Sequence, residues 1–321
     1  MKAAVGISQC LLGDPVRYNG KDKFNPYLVE ALRPYLDFHP LCPELAIGLG
    51  VPRNPIQLVV IEESVRLREV GNPQVDVTEQ MRGLAERDSE RLASLCGYIV
   101  MQESPSCGAL AVKRYDPEGD LRDAVGQGIY IARLRELLPW LPIAEARDLQ
   151  QAEALDNFLT RAFMLHDWQT TLPDAPAAAK LLAFHSRHKY LLMAHNPRAY
   201  RELGRALANL SSVDIGQFSR RYQIALLTAL SHPATRGNQV NTLLHLKGYF
   251  REACTPAELQ TMAEAISDYQ TGRVPLSATI AALHAHVERT GNRYLAEQRY
   301  WQPYPGAAAM QERIFDEQGA G

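Results

Sequence analysis

Three of the five cysteines follow strand-like runs of the sequence. Cys10 comes after Ala-Ala-Val-Gly-Ile, Cys42 after Leu36–Leu41, and Cys107 after Tyr98-Ile-Val-Met. In an open α/β sheet the carboxyl ends of the strands meet at one crevice, where ligands usually bind. We therefore expect three thiolates that are distant in sequence to meet there. They are one fewer than the four that usually hold a cubane iron–sulfur cluster, so one iron would stay free for chemistry.

Thiolates are soft ligands that select iron–sulfur clusters, zinc or cuprous copper. Each of the three cysteines lies among the proline, glycine or serine residues typical of tight loops. The alternative is that all three are buried and inert, as free cysteines often are. Zinc also stays open, although structural zinc sites usually contain Cys-x-x-Cys pairs and the sequence has none. Cys96 and Cys254 end helical patterns, and we predict a structural role for both.

Polar side chains lie close to the cysteines in sequence. Glu44 follows Cys42 by two residues and could act as a general base that activates water. Its alternative role is that of a first-turn glutamate stabilised by the helix dipole. Ser104 and Ser106 bracket Pro105 beside the third cysteine, where they could donate hydrogen bonds to a ligand or only shape the loop. Two further candidates, for contact with an anionic or aromatic ligand, are Arg17 and Tyr18.

The first half of the chain alternates strand-like and helical patterns. The strand-like runs are Ala3–Ser8, Asp37–Leu41, Leu58–Ile61, Tyr98–Met101 and the region of Ile143. The helical patterns are Asn25–Leu36, Asp76–Cys96 and Gln127–Leu138. This alternation predicts βαβ units and a Rossmann-like α/β domain with a mostly parallel sheet over residues 1–150. A Pro-Glu-Gly-Asp turn within Val112–Leu121 predicts an inserted hairpin.

The second half, residues 151–321, has almost no strand signal and predicts an all-α domain. The predicted helices are Asp148–Leu165, Pro176–His195, Pro197–Leu210, Val213–Ser231, Gly237–Ala253, Pro256–Thr271 and Leu276–Thr290. We expect the boundary between the two halves near residues 145–165. The tail from Asn292 is rich in aromatic residues and proline, and we expect its rings to pack on the domain rather than stack on nucleobases.

Charge is distributed unevenly along the chain. The net charge is −2, yet residues 180–251 contain eleven basic and only two acidic residues, a net charge of +9. A concentrated basic region is typical of proteins that bind a phosphate backbone. The alternative for lysines and arginines on helices is an ordinary solvated face.

The composition excludes several other classes of protein. No stretch approaches the ~18 consecutive apolar residues of a membrane span, so we expect no membrane partner. The start of the sequence enters a strand-like run directly, and we expect no signal peptide. Five cysteines are an odd and modest number that does not suit a disulfide scaffold, and we expect a cytoplasmic protein.

The N-terminal half resembles the thiouracil desulfidase family. The matching segments are Cys10-Leu-Leu-Gly with Val-Arg-Tyr-Asn-Gly20, Cys42-Pro-Glu-Leu with Gly-Leu-Gly-Val-Pro-Arg53, and Ser104-Pro-Ser-Cys-Gly108. The resemblance implies a [4Fe–4S] cluster held by Cys10, Cys42 and Cys107, and removal of sulfur from a thiolated pyrimidine without net redox change. It also implies catalytic roles for Glu44 and Ser104, and we expect Arg17, Tyr18 and Ser106 to contact the substrate.

The C-terminal half is similar to the helical domain that is fused to this one in tRNA 4-thiouridine desulfidases. The matching segments are Phe184-His-Ser-Arg-His-Lys189, Ala194-His-Asn-Pro, Tyr200-Arg-Glu-Leu-Gly204, Ala234-Thr-Arg-Gly-Asn238 and Pro303-Tyr-Pro305. The resemblance implies that tRNA containing 4-thiouridine is both partner and substrate. The residues that we expect to contact RNA are Arg187, His188, Lys189, Arg201 and Arg236. Two alternatives stay open: desulfuration of free thiouracil or thiouridine, and a non-catalytic RNA-binding module with a structural metal.

Overall fold

The computed structural model describes residues 2–172, 176–210 and 213–319. The chain divides into two compact units, Met1–Gln151 and Ala152–Gly321. The strands of the first unit are β1 (Ala3–Ser8), β2 (Leu36–Leu41), β3 (Ile56–Ile61), β4 (Ser64–Glu69), β5 (Asn72–Asp76), β6 (Gly97–Val100), β7 (Val112–Tyr115), β8 (Leu121–Gly126) and β9 (Ile143–Glu145). Its α-helices are α1 (Pro26–Leu32), α2 (Pro43–Ala46), α3 (Thr78–Ala93) and α4 (Ile129–Leu137).

Strands β1, β2, β6 and β9 form a parallel sheet in the order β2-β1-β6-β9. The central strands β1 and β6 are largely apolar, as suits parallel strands that are covered on both faces, and Val5, Ile7 and Ile99 are fully buried, whereas the edge strand β2 is mostly exposed or half-buried. Because the chain passes from β1 to β2 on one side and later to β6 on the other, the strand order reverses between β1 and β6. The carboxyl ends of the strands at such a reversal point form the usual ligand crevice of an α/β sheet.

A second sheet has the order β5-β4-β3-β7-β8 and is antiparallel except where β3 pairs with β7. The hairpin β7–β8 confirms the turn predicted around Pro-Glu-Gly-Asp. Strands β4 and β5 were not predicted. In β4 charged residues alternate with apolar ones, and two of them, Arg66 and Arg68, form ion pairs with Asp76 of β5 at 2.9 and 3.2 Å. Cross-strand ion pairs of this kind stabilise an edge of a sheet with little apolar content.

The second unit is helical throughout its described residues. Its α-helices are α5 (Ala152–Thr171), α6 (Ala178–His195), α7 (Pro197–Leu207), α8 (Ile215–Ala229), α9 (Arg236–Lys247), α10 (Pro256–Gln270), α11 (Leu276–Thr290), α12 (Arg293–Ala296) and α13 (Ala307–Gly319). Capping groups start several of them: Asn196 caps α7, and Thr255 with Glu258 forms a capping box on α10. The α/β half and the all-α half confirm the predicted fold class.

The aromatic tail packs into the core of the helical unit. Tyr300 and Trp301 are buried in a cluster with residues of α9, α10 and α11, including Leu243, Ile266 and Leu283. The indole N–H of Trp301 donates a hydrogen bond to the carbonyl of Leu295 at 2.7 Å. These rings are therefore part of the core rather than a platform for nucleobases.

No described helix is both long enough and apolar enough to cross a membrane.

Candidate active site

The carboxyl ends of β1, β2 and β6 open into one cleft of about 350 Å³. Residues predicted from three separate sequence segments line it: Cys10, Arg17, Tyr18, Cys42, Glu44, Ser104, Ser106 and Cys107. Ser8 links two of the strand ends, because its hydroxyl accepts a hydrogen bond from the Met101 N–H at 3.0 Å and lies 3.5 Å from the Cys107 sulfur. The structure thus brings together all eight residues that were predicted for the catalytic half.

Local backbone geometry directs each cysteine into the cleft. Cys10 lies on a short 3₁₀ helix, Gln9–Leu12, which ends at Gly13 with a φ of 100° that favours glycine. Cys42 is the residue before α2, whose first position is the proline that this location tolerates best. Cys107 is buried in the loop that follows β6. All three thiols are free, so none is held in a disulfide.

Burial controls the protonation of these thiols. It raises the pKa of Cys10 to about 12, and the nearby sulfurs of Cys107 and Cys42 add to the shift. Burial also raises the pKa values of Cys42 and Cys107. The free thiols are therefore protonated at neutral pH, and a ligand that binds thiolates must displace protons from this cleft.

The loop that contains Cys107 is held by the start of helix α4. The N–H groups of Gly128, Ile129 and Tyr130 donate hydrogen bonds to the carbonyls of Gly108, Pro105 and Ser106 at 2.8, 3.1 and 3.0 Å. This close approach requires glycine at position 128, because a Cβ atom there would lie 2.4 Å from the backbone of Ser106. The cysteine loop is fixed by backbone contacts that the sequence does not show.

Glu145 is a site residue that the sequence predictions missed. Its carboxylate lies at the end of β9, is buried, and accepts hydrogen bonds from the N–H groups of Ala109 and Leu110, both at 2.9 Å. Arg135 donates to the carbonyl of Ala109 at 3.0 Å, so Ala109 is held from both sides. Arg147 also pairs with Glu145 at 3.0 Å. These contacts anchor the segment that directly follows Cys107.

Glu44 has a fixed orientation at the wall of the cleft. Its Oε1 accepts a hydrogen bond from the Ser106 hydroxyl at 2.7 Å, and its Oε2 accepts one from Arg53 at 2.9 Å. Arg53 and Glu44 are both nearly buried, with 8% and 13% of their side chains exposed. The guanidinium also donates to the carbonyls of Gly50 and Val16, so it joins the segments after Cys10 and Cys42. Arg53 belongs to one of the matching segments, but its role in orienting Glu44 was not predicted.

The serines form a chain of hydroxyl groups that leads to Glu44. The hydroxyls of Ser104 and Ser106 are 3.0 Å apart, and Ser104 also accepts a hydrogen bond from the N–H of Cys107 at 3.3 Å. A carboxylate, two hydroxyls and bound water are the groups that general acid–base catalysis uses to move a proton. Near the mouth of the cleft, Arg17 lies over the ring of Tyr18, 5.7 Å from its centroid, and Tyr18 is exposed.

The five residues predicted to contact RNA have different surroundings. Arg201 is exposed on α7, and Lys189 lies 5.0 Å from the centroids of the Tyr190 and Tyr294 rings. Arg187 is partly buried and lies 3.8 Å from Asp167. Arg236 is also partly buried and lies over the ring of Tyr269.

His188 corrects one prediction, because it is buried inside the helical unit. Its Nε2 lies 3.0 Å from Asp167 and its Nδ1 bonds to the carbonyl of Phe184 at 2.8 Å, so both ring nitrogens are used within the protein. The ring also stacks on that of Phe184, with 4.1 Å between their centroids. Only 2% of the surface of His188 is exposed, so this residue cannot contact an RNA. We assign it a role in the packing of the helical unit.

Three thiols that face one cleft fit an iron–sulfur cluster better than a single ion. Within the described ranges, no group of three or more His, Cys, Asp or Glu side chains is placed to hold one metal ion. Each corner of a cubane is a different iron, so its thiolates stand further apart than ligands around a single metal. Cys10, Cys42 and Cys107 would hold such a cluster. The carboxylate and serine hydroxyls beside them are typical of an active site rather than of a structural metal site.

Comparison with known proteins supports this class. Residues 5–146 match the family described as "2-thiouracil desulfurase", and residues 189–305 match "Protein of unknown function (DUF1722)". A curated relative is "Uncharacterized protein YbgA" from Escherichia coli (strain K12), 30% identical over 151 residues, which are 47% of this chain and 89% of the relative. The chain belongs to the same family as YbgA, and its residues 5–146 match the model of the 2-thiouracil desulfurase family.

A solved structure also matches part of the chain. It is described as "[4Fe-4S]-dependent thiouracil desulfidase TudS", with 28% identity and a TM-score of 0.38. The match covers 46% of this chain and 94% of that one.

Proposed function

We propose that this protein is a [4Fe–4S]-dependent desulfidase that converts 4-thiouridine in tRNA to uridine and releases sulfide. The observation that carries the proposal is the single cleft in which three cysteine thiols lie beside the Glu44–Ser106 hydrogen bond. The match of residues 5–146 to the 2-thiouracil desulfurase family supports the reaction type. The cytoplasm, where tRNA and free thiols occur together, is the expected place of the reaction.

The cluster, when bound, would offer an iron without a protein thiolate as a Lewis acid for the thiocarbonyl sulfur. Side chains of the protein would activate the attacking water. Glu44 accepts the proton of the attacking water, since its carboxylate is held at the cleft wall by Arg53 and Ser106. Ser104, whose hydroxyl otherwise donates to Ser106, would turn it to donate a hydrogen bond to the pyrimidine. Overall, water replaces sulfur: C=S becomes C=O, hydrogen sulfide leaves, and no electrons are gained or lost.

The proposal of RNA as substrate rests on the charge of the helical unit. Lys189, Arg201 and Arg205 line one open groove between α6 and α7, which we call the α6–α7 groove. Arg201 and Arg205 are exposed, and the one acidic residue next to them, Glu202, is paired with Arg198 at 2.7 Å. A free base gains little from such a groove, whereas a phosphate backbone is attracted to it and releases counterions on binding.

Free thiolated pyrimidines are the second candidate substrate, because the description of the matched family names 2-thiouracil. The two substrates can be separated with the variant R201Q/R205Q. If RNA is the substrate, this variant should bind 4-thiouridine tRNA more weakly, with the slope of log K against log salt reduced by about 1 for each lost phosphate contact. Turnover of the free 4-thiouridine nucleoside should not change. The control is R293Q, which alters an exposed arginine elsewhere in the same unit.

The cluster and the reaction are tested together on anaerobically prepared protein. Iron and sulfide are quantified and desulfuration is measured for C10A, C42A and C107A, and each should lose both the cluster and activity. C96A and C254A are matched controls, because these free thiols lie outside the residues that line the cleft, and both should keep cluster and activity. E44A should keep the cluster and lose turnover. Full turnover by E44A would remove Glu44 from the mechanism.

A further inference from the structure

The helical unit contains a second cavity that the proposed reaction does not use. It is about 150 Å³ in volume and lies among α5, α6, α9, α10, α11 and α13. Three of the segments by which this half resembles desulfidase-linked domains meet there, through His195, Arg236 and Pro303. Segments distant in sequence have thus been brought together around a space large enough for a small ligand.

His195 presents a hydrogen-bond acceptor to this cavity. Its Nδ1 lies 2.8 Å from the carbonyl of His232, and because a carbonyl only accepts, Nδ1 must carry the proton. Burial lowers the pKa of His195 to about 4, so the ring is neutral at pH 7 and Nε2 keeps its lone pair. Asp156 provides a second acceptor, since the Tyr304 hydroxyl donates to Oδ1 and leaves Oδ2 for a ligand.

Donors complete the polar wall of the cavity. The Tyr300 hydroxyl donates to Gln239 Oε1 at 2.7 Å, which orients the Gln239 amide so that its NH₂ group is the part left to donate. Arg236 contributes its guanidinium, which lies over the Tyr269 ring and donates to the Tyr269 carbonyl at 3.2 Å. The remaining walls combine apolar side chains, including Leu276, Ile280 and Phe315, with polar ones such as Thr160 and Gln311. Polar groups that converge beside apolar walls are typical of a small-ligand site.

We infer that this cavity binds one pyrimidine base through its imide edge, the N–H flanked by two carbonyls that uracil carries. A cavity of about 150 Å³ accepts a single six-membered ring. The acceptor nitrogen of His195 matches the single imide N–H, and the donors Gln239 and Arg236 match its two carbonyls. A phosphate is disfavoured, because Asp156 and Glu153 both line the cavity. That the base belongs to an RNA rests on the proposed function.

Uridine titrated into the full-length protein by calorimetry tests this inference. Cytidine, which has an acceptor in place of the imide N–H, should bind at least about tenfold more weakly at this site. The variant Q239E keeps an acceptor for the Tyr300 hydroxyl but loses the amide donor, and should lose the binding event. H195F removes the acceptor nitrogen and should have the same effect. Q217E makes the same chemical change on the exposed face of α8 and should bind like the unaltered protein.

Uridine is also the expected product in the N-terminal cleft, so the variants decide where it binds. Uridine binding that is unchanged in both Q239E and H195F, or no binding at all, would overturn the inference. Desulfuration of 4-thiouridine nucleoside is measured on the same samples. Activity without Gln239-dependent binding refutes the cavity alone, whereas Gln239-dependent binding without activity refutes the proposed function alone.

Discussion

The Cys107 loop packs directly against the backbone of Gly128, which is possible only because this residue has no side chain. The variant G128A tests the importance of this close approach. A Cβ at this position would lie 2.4 Å from Ser106 C and O and 2.6 Å from Cys107 N. Non-bonded carbon atoms rest at about 3.5 Å or more, so the loop must move by roughly 1 Å. Such a shift would lengthen the hydrogen bonds from the start of α4 to the carbonyls of Pro105, Ser106 and Gly108.

The expected cost of G128A is about 1–3 kcal/mol, the usual range for overpacking a well-packed site. For a unit of this size, about 1 kcal/mol lowers the melting temperature by about 2–4 °C, so we expect a decrease of about 2–12 °C. Calorimetry measures the melting transition, and iron quantification after anaerobic reconstitution shows whether Cys107 still reaches the cluster. We expect a clear loss of iron together with the loss of stability.

Gly50 offers a matched control in the same unit. A Cβ at position 50 meets no atom within 4 Å, so G50A should keep the melting temperature and the iron content of the unaltered protein. If G128A melts and binds iron like G50A, the loop is not held by this close approach, and our account of the cysteine loop is wrong.

Three further predictions concern other buried groups. R53M leaves the nearly buried Glu44 carboxylate without its cationic partner and should lower the free energy of unfolding by about 3–5 kcal/mol in denaturant titrations. The double variant R53M/E44Q should recover much of this stability, and a double variant that recovers none would contradict the pairing. E145A leaves the N–H groups of Ala109 and Leu110 without acceptors and should cost about 1–3 kcal/mol for each, whereas E145Q, which keeps one oxygen, should cost less in the same titrations. Burial lowers the pKa of His185 to about 4 from about 6.5 in the unfolded chain, so the folded protein binds fewer protons between these values. The free energy of unfolding should therefore decrease as the pH falls from 6.5 to 4, by roughly 3 kcal/mol at most for this histidine. If the free energy of unfolding falls with pH equally steeply in H185Q and in the unaltered protein, this prediction is refuted.

The chemistry of the N-terminal site could be predicted because short segments encode it. Cysteines that follow strand-like runs, with glycine, proline and serine around them, indicate loops at a sheet edge from local sequence alone. The strands β1 and β6 fell within one residue of the predicted runs. Glu145 could not be predicted, since a carboxylate 38 positions after Cys107 finds its partners only when β9 pairs with β6.

The alternation of strands and helices, the cysteines beyond strand ends and the basic helical half were properties of the sequence alone, because each depends on neighbours within a few residues. Tertiary structure decided the rest. It paired Arg53 with Glu44, buried His188 against Asp167, and enclosed the cavity between His195 and Gln239. Local propensity and hydrophobic period carry no information about such contacts, since they arise when distant segments exclude water together and each buried polar group must find a partner.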